Sequence, residues 1–249
     1  MKTSIVVPAR LESTRFPRKI LTEFGGKPLL IYILSRLSNA VEDVNVVALV
    51  DNQEVFDLVL QNGFKAIMTS TECTSGTERL VSVKDKIDGD FIVNVQCDEP
   101  FLPIDFLKNL IQTAKVCPEE IFTGCYPIED EASLFNSNRV KVVLDKNDCA
   151  MYFSRSAIPF VRDIQKDKWI EVGKFFGHIG VYGYKRSFLD SYHLLQESVL
   201  EKIEKLEQLR FLENQYKIKV IHTEKEFFGI DTQEDLAIAK KILINEVSL

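Results

Sequence analysis

The chain predicts an α/β fold: a mostly parallel sheet carrying an inserted β-rich lobe. Three observations point there. The strand-length apolar runs are near-continuous rather than alternating, the pattern of strands covered on both faces. Through the first half they alternate with segments of helical apolar spacing. And 249 residues, 45% hydrophobic and 27% charged, suffice for one large α/β domain with a sizeable core.

The elements follow in order. "SIVVPA" is a short buried strand, "KPLLIYILSRLSNA" a helix and "VNVVALV" a second strand. "QEVFDLVLQNG" is a helix closed by Gly63, and "FKAIMT" is a third strand. In "SGTERLVSVKDKI", Ser75 stands three residues before Glu78, a capping box that opens a helix. "DFIVNVQ" is the fourth strand, and "PIDFLKNLIQTAK" a helix with Pro103 in its first turn. In the second half, "RVKVVLDKNDCAMYFS" reads as two strands around the turn "DKND". "HIGVYGY" is a strand, "SVLEKIEKLEQLRFLENQ" one charged amphipathic helix, "KIKVIHT" a strand and "DTQEDLAIAKKILI" a helix capped by Thr232. No repeat or flexible linker interrupts the chain. Residues 1–249 therefore form one domain, with the inserted lobe at about 127–220.

The net charge of −6 argues against a nucleic-acid partner or an anionic membrane surface. The five cysteines, Cys73, Cys97, Cys117, Cys125 and Cys149, form no CxxC pair, so neither a zinc site nor a disulfide framework is expected. Scattered thiols fit a reducing cytoplasm. The apolar run at the N-terminus is too short for a signal peptide, and no segment reaches the roughly 20 apolar residues of a membrane span.

Ligands of open parallel sheets bind beyond the carboxyl ends of the strands. The loop after the first strand holds Arg10, Ser13, Thr14, Arg15, Arg18 and Lys19, cations and hydroxyls suited to a polyphosphate. No GxxxxGK[ST] is present, so it is not a P-loop; the plain alternative is a solvated basic loop. The fourth strand, "FIVNVQ", runs into Cys97, Asp98 and Glu99. Magnesium takes one or two carboxylates plus substrate phosphates. Adjacent residues of an extended chain point to opposite sides, so Asp98 rather than the pair is the expected ligand. Asp231 precedes the last helix, where capping chemistry competes with a metal role. Gly76 and Thr77 could offer amides at a helix start, and His178 heads a strand.

Together, "PARLESTRFPRKIL", "GGKPLL", "MTSTECTSGTERL", "VNVQCDEP", "VKVVLD", "AMYFSRSAIPF", "HIGVYGYKRSFL", "KLEQLRFLE" and "IDTQEDL" resemble the CMP-Kdo synthetase family (3-deoxy-manno-octulosonate cytidylyltransferase). The resemblance implies a Rossmann-like nucleotidyltransferase sheet with a sugar-binding and dimerisation lobe. It implies a cytoplasmic homodimer that makes CMP-Kdo and pyrophosphate from CTP and the acid sugar Kdo, with Mg²⁺, for lipopolysaccharide precursor synthesis. Arg10, Lys19 and Asp98 would be catalytic. Arg10, Ser13, Arg15 and Lys19 would hold the triphosphate, and Ser75, Gly76, Arg79 and Gln96 the cytidine. Asp98 and Asp231 would hold Mg²⁺, and Arg155, His178, Tyr182, Glu207 and Gln208 would line the sugar site.

The chain departs from the family pattern at four places. Cys97 stands where the family has Gly, Arg18 and Ile20 where Gly and Pro flank the lysine, Leu49–Asp51 where it reads ATD, and Gly177 where a basic residue precedes the histidine. A cytidylyltransferase for a related acid sugar and a non-catalytic nucleotide-binding homologue are the alternatives.

Overall fold

The protein is described by a computed structural model that covers residues 1–12, 16–73, 75–224 and 227–247. In chain order the first elements are β1 (Thr3–Ala9), β2 (Glu23–Phe24), β3 (Lys27–Pro28), α1 (Leu29–Ala40), β4 (Val44–Val50), α2 (Gln53–Gln61) and β5 (Lys65–Met68). Next come α3 (Gly76–Ser82), β6 (Phe91–Asn94), α4 (Ile104–Val116), β7 (Ile121–Ile128), α5 (Glu131–Phe135), β8 (Lys141–Leu144) and β9 (Ala150–Ser154). The rest are α6 (Trp169–Val172), β10 (Phe175–Lys185), α7 (Arg186–Ser191), α8 (Val199–Glu204), α9 (Gln208–Glu213), β11 (Ile218–His222) and α10 (Gln233–Val247). The chain forms two compact units, Met1–Lys108 with Phe227–Leu249, and Asn109–Glu226.

In the first unit the strands run β6–β1–β4–β5, every pair parallel. All seven residues of β1 are buried, which is why its apolar run does not alternate. Helix α1 buries Leu29, Leu30, Ile31, Ile33, Leu34 and Leu37, and each such side chain contributes roughly 1.5–3 kcal/mol by leaving water. Asn52 caps α2 by accepting from the Glu54 amide, and Gly63 turns out of it at φ 79°. The Ser75 hydroxyl accepts the Glu78 amide at 3.0 Å to open α3. Thr232 and Asp235 cap α10 reciprocally, at 3.1 and 2.8 Å.

In the second unit β10 pairs antiparallel with β7 and β8, β8 with β9, and β11 runs parallel to β7. The β8–β9 hairpin turns through Asp145–Cys149, as expected. Strand β7 was not anticipated from "IFTGCYPI". Gly124, Pro127 and a threonine break its apolar run, yet six of its first seven residues pack into the interior.

The charged segment after Ser198 is not one helix but two. Lys205 lies in the left-handed region at φ 54° and separates α8 from α9. The carbonyls turned outward there are taken up by Arg155, whose Nε donates to Glu204 O at 2.7 Å and Nη2 to Lys205 O at 3.4 Å. A side chain from β9's end thus satisfies the helix terminus, where helical periodicity alone extends the helix through.

Candidate active site

In the first unit, Lys19 and the two aspartates meet. Lys19 is 7% exposed. Its Nζ donates to Asp98 Oδ2 at 2.9 Å and to Ile230 O at 2.7 Å, and stands 3.6 Å from Asp231 Oδ1. Burial alone would lower the lysine pKa, but Asp98, with Cys97 and Asp231, holds it above the usual value. The Ile230 amide donates to Asp98 O at 2.8 Å, so the loop after β6 and the segment before α10 are stitched together although 132 positions separate these residues.

This pair of carboxylates fits a divalent cation. An ammonium already stands between them as a cationic stand-in, and both reach it from separate segments. The neighbouring Glu99 keeps one buried oxygen without a hydrogen-bond partner. Burial, then Asp98 and Asp231, push the Glu99 carboxyl up to about 8. Among the described residues no group of three or more His, Cys, Asp or Glu could hold a metal. A cation here would need oxygen ligands from elsewhere, as magnesium commonly does from substrate phosphates.

Asp51 organises a second part of this unit. Its Oδ1 accepts the Leu11 amide at 3.0 Å and its Oδ2 pairs with Arg79 Nη2 at 3.1 Å. Arg79 is 3% exposed and also donates to Thr69 Oγ1 and, at 3.3 Å, to Ser70 O. The Asp51–Arg79 pair therefore ties together the chain ends beyond β1, β4 and β5, the carboxylate holding the first and the guanidinium the last. Gly76 backs onto Gln96: a Cβ there would lie 3.3 Å from Gln96 Nε2 and 3.5 Å from Asn94 Nδ2. Arg10 is exposed, and its charge reaches the Cys97 thiol. Ser13, Thr14 and Arg15 lie outside the described residues.

In the second unit, His178, Tyr182 and Glu207 share one neighbourhood. The His178 and Tyr182 rings are 5.5 Å apart, and burial and the Glu207 charge raise the Tyr182 pKa well above its ordinary value. Burial pushes the His178 ring down to about 3, so it is neutral. Glu207 accepts from the Tyr192 hydroxyl at 2.7 Å. Gln208 opens α9 with 6% exposure, and Arg155 anchors the α8–α9 break just before Glu207.

The four departures have local accounts. Cys97 is not among the residues of positive φ, so its Cβ carries no backbone strain, and burial pushes its thiol up to about 12. Arg18 does occupy the left-handed region, at φ 58°, and its side chain pairs with Glu54 at 2.5 Å. Ile20, 1% exposed, adds to the core instead of fixing the backbone. Asp51 of "LVD" is the hub just described. At Gly177 a Cβ would lie 2.2 Å from Tyr126 Cζ, so the Tyr126 ring occupies the space of any side chain there. Sequence reasoning gave no role to Thr123 or Asn94. Thr123 was hidden by the missed strand β7, and nothing in sequence marks the Asn94 Oδ1, a buried acceptor without a partner.

A family model of cytidylyltransferases matches residues 4–219. The parallel unit with its cation-and-carboxylate loops is of that class, and the chain belongs to the cytidylyltransferase family. Its relatives narrow the class to the 3-deoxy-manno-octulosonate cytidylyltransferases. The enzyme of that name from Parabacteroides distasonis is 42% identical over 255 residues, 98% of this chain and 99% of that protein. That of Francisella tularensis subsp. holarctica (strain OSU18) is 39% identical over 246 residues, 96% of this chain and 97% of its own. Among solved structures, a CMP:2-keto-3-deoxy-manno-octonic acid synthetase complexed with CTP superposes with TM-score 0.91 at 34% identity, covering 99% of this chain and all of that one.

Proposed function

We propose that the protein transfers CMP from CTP to the anomeric hydroxyl of 3-deoxy-manno-octulosonate, releasing pyrophosphate. The observation that carries this is the Lys19–Asp98–Asp231 cluster, in a chain 42% identical to an enzyme named for that reaction. Nucleotidyl transfer asks little covalent work of a protein; positioning and charge stabilisation dominate. Arg10 and Lys19, with Ser13 and Arg15 of the same loop, hold the triphosphate and offset the charge that grows on departing pyrophosphate. Ser75, Gly76, Arg79 and Gln96 surround the cytidine, Arg79 chiefly by bracing the loops through Asp51. Asp98 and Asp231 hold Mg²⁺. The ion, when bound, supplies Lewis-acid stabilisation of phosphate oxygens and helps ionise the attacking hydroxyl.

Arg155, His178, Tyr182, Glu207 and Gln208 line the sugar site. Support comes from the neutral His178 beside Tyr182 and Glu207, polar groups gathered in an otherwise aromatic surrounding. The protein acts in the cytoplasm as a homodimer. Val199 and Ile203, 67% and 72% exposed on α8, suit a covered face. No described helix is long and apolar enough to cross a membrane.

The test is pyrophosphate release from CTP with a panel of acid sugars. Release with 3-deoxy-manno-octulosonate, abolished by EDTA and cut about 100-fold or more by Asp98→Asn, is expected. Turnover with another acid sugar but not this one sinks the substrate assignment. Full activity in Asp98→Asn sinks the metal assignment.

A further inference from the structure

Strand β10 is irregular opposite one residue of β7. Ile179 faces Gly124 and Gly183 faces Phe122, so Thr123 alone opposes Gly180, Val181 and Tyr182. Three residues against one make a bulge, a feature that re-aims side chains beside functional sites. It also withdraws backbone groups from the ladder. The Thr123 hydroxyl, in a residue fully buried, sits 2.9 Å from both Ile179 O and Val181 O. The same oxygen is 3.0 Å from His178 Nε2.

A hydroxyl has one proton and accepts through its lone pairs. Two of these three neighbours are carbonyl oxygens, which only accept. If the Thr123 proton went to the ring nitrogen, both carbonyls would face oxygen lone pairs at 2.9 Å inside the protein, a repulsive arrangement with no proton between the oxygens. The proton therefore goes to the carbonyls, and the ring nitrogen donates. His178 carries its proton on Nε2, and Nδ1 is bare. Its backbone amide donates to Val140 O at 2.8 Å, and the rings of Phe153 and Tyr182 lie 4.9 and 5.5 Å away. The Tyr182 hydroxyl approaches Thr123 without a well-directed hydrogen bond.

We propose that Thr123 is a positioning residue of the sugar site: from within the β10 bulge it fixes His178 as the Nε2–H tautomer, leaving Nδ1 as an acceptor for a hydroxyl of the sugar. The proposal rests on reading His178 as a sugar contact. It adds a chemical restriction. A bare, neutral Nδ1 accepts from a hydroxyl and cannot bind the carboxylate of an acid sugar, so that group has to be met by other residues. The geometry resembles the way a ligating histidine is oriented through its second nitrogen, here with a hydroxyl in that role.

Nitrogen-15 NMR of histidine-labelled protein tests the tautomer directly. The chain has three histidines, and His178→Phe identifies the His178 signals. The expected wild-type spectrum has a protonated Nε2 and a bare Nδ1, retained in Thr123→Ser. Thr123→Val should mix the tautomers and raise KM for the sugar about tenfold, the worth of one hydrogen bond, while KM for CTP stays within about twofold. A wild-type spectrum with the proton on Nδ1 overturns the proposal even if Thr123→Val fails to fold. So does a folded Thr123→Val with unchanged tautomer and sugar KM. If His178→Phe leaves the sugar KM unchanged, the sugar-contact reading falls and the positioning role with it, although the tautomer would stand.

Discussion

At Gly177 a single missing Cβ decides what its neighbour can be. The family pattern puts a basic side chain there, and in this chain the Tyr126 ring fills that space, 2.2 Å from where a Cβ would start. Tyr126 is itself 5% exposed, so the ring cannot swing aside without disturbing its own packing. The glycine and the tyrosine ring are thus matched in space, a fit that the sequence displays only as an isolated glycine. Gly177→Ala should cost about 1–3 kcal/mol by overpacking. In a Tyr126→Ala background the same change should cost almost nothing, a coupling above 1 kcal/mol in a double-mutant cycle read by urea unfolding. Additive costs would mean that the ring is not what excludes the side chain. One contact of the proposed site was legible in advance. Asp98 follows from a carboxylate at a strand's carboxyl end, and its contact with Lys19 follows from the basic loop expected to face it. Asp231 was ambiguous because capping and metal binding want the same residue type. Here Asp235 and Thr232 do the capping, which leaves the Asp231 carboxylate to Lys19.

At the scale of elements, periodicity locates what packing demands and misses what a remote side chain imposes. The strands β1, β4 and β6 and the helices α1, α2 and α4 were legible because burial writes itself into apolar spacing. Strand β7 was not, since glycine and proline dilute its pattern. The α8–α9 break was not, since Lys205 and its neighbours are good helix formers and the side chain that takes up the carbonyls there is Arg155, fifty positions upstream of Lys205. That break can be tested by two substitutions at one site. In the left-handed region a Cβ costs about 1–2 kcal/mol, so Lys205→Gly should be more stable than Lys205→Ala by about 1 kcal/mol. In a continuous helix alanine would win by a similar margin. Chemical denaturation of the two variants distinguishes the cases by sign, not by size.

At the scale of the whole molecule, the chain's first and last segments are one unit, and the middle is another. The boundary at Asn109 falls within α4, where apolar helical spacing runs on without a break for the sequence to display. The ligand assignments now divide by unit. Every proposed nucleotide and metal residue belongs to Met1–Lys108 or Phe227–Leu249, and every proposed sugar residue to Asn109–Glu226. A ligand that binds only the native state stabilises what it touches, by about 2.7 kcal/mol at 100 times its Kd. Amides that exchange through opening of that unit then slow about 100-fold. Hydrogen exchange should therefore show CTP with Mg²⁺ protecting β1, β4, β6 and the segment around Ile230, far-separated stretches slowed as one set. The sugar alone should protect β7, β10 and the start of α9. Protection by CTP that stopped at Lys108 and left Ile230 and Asp231 unchanged would separate the two aspartates functionally. It would remove Asp231 from the metal site, whatever its distance from Lys19.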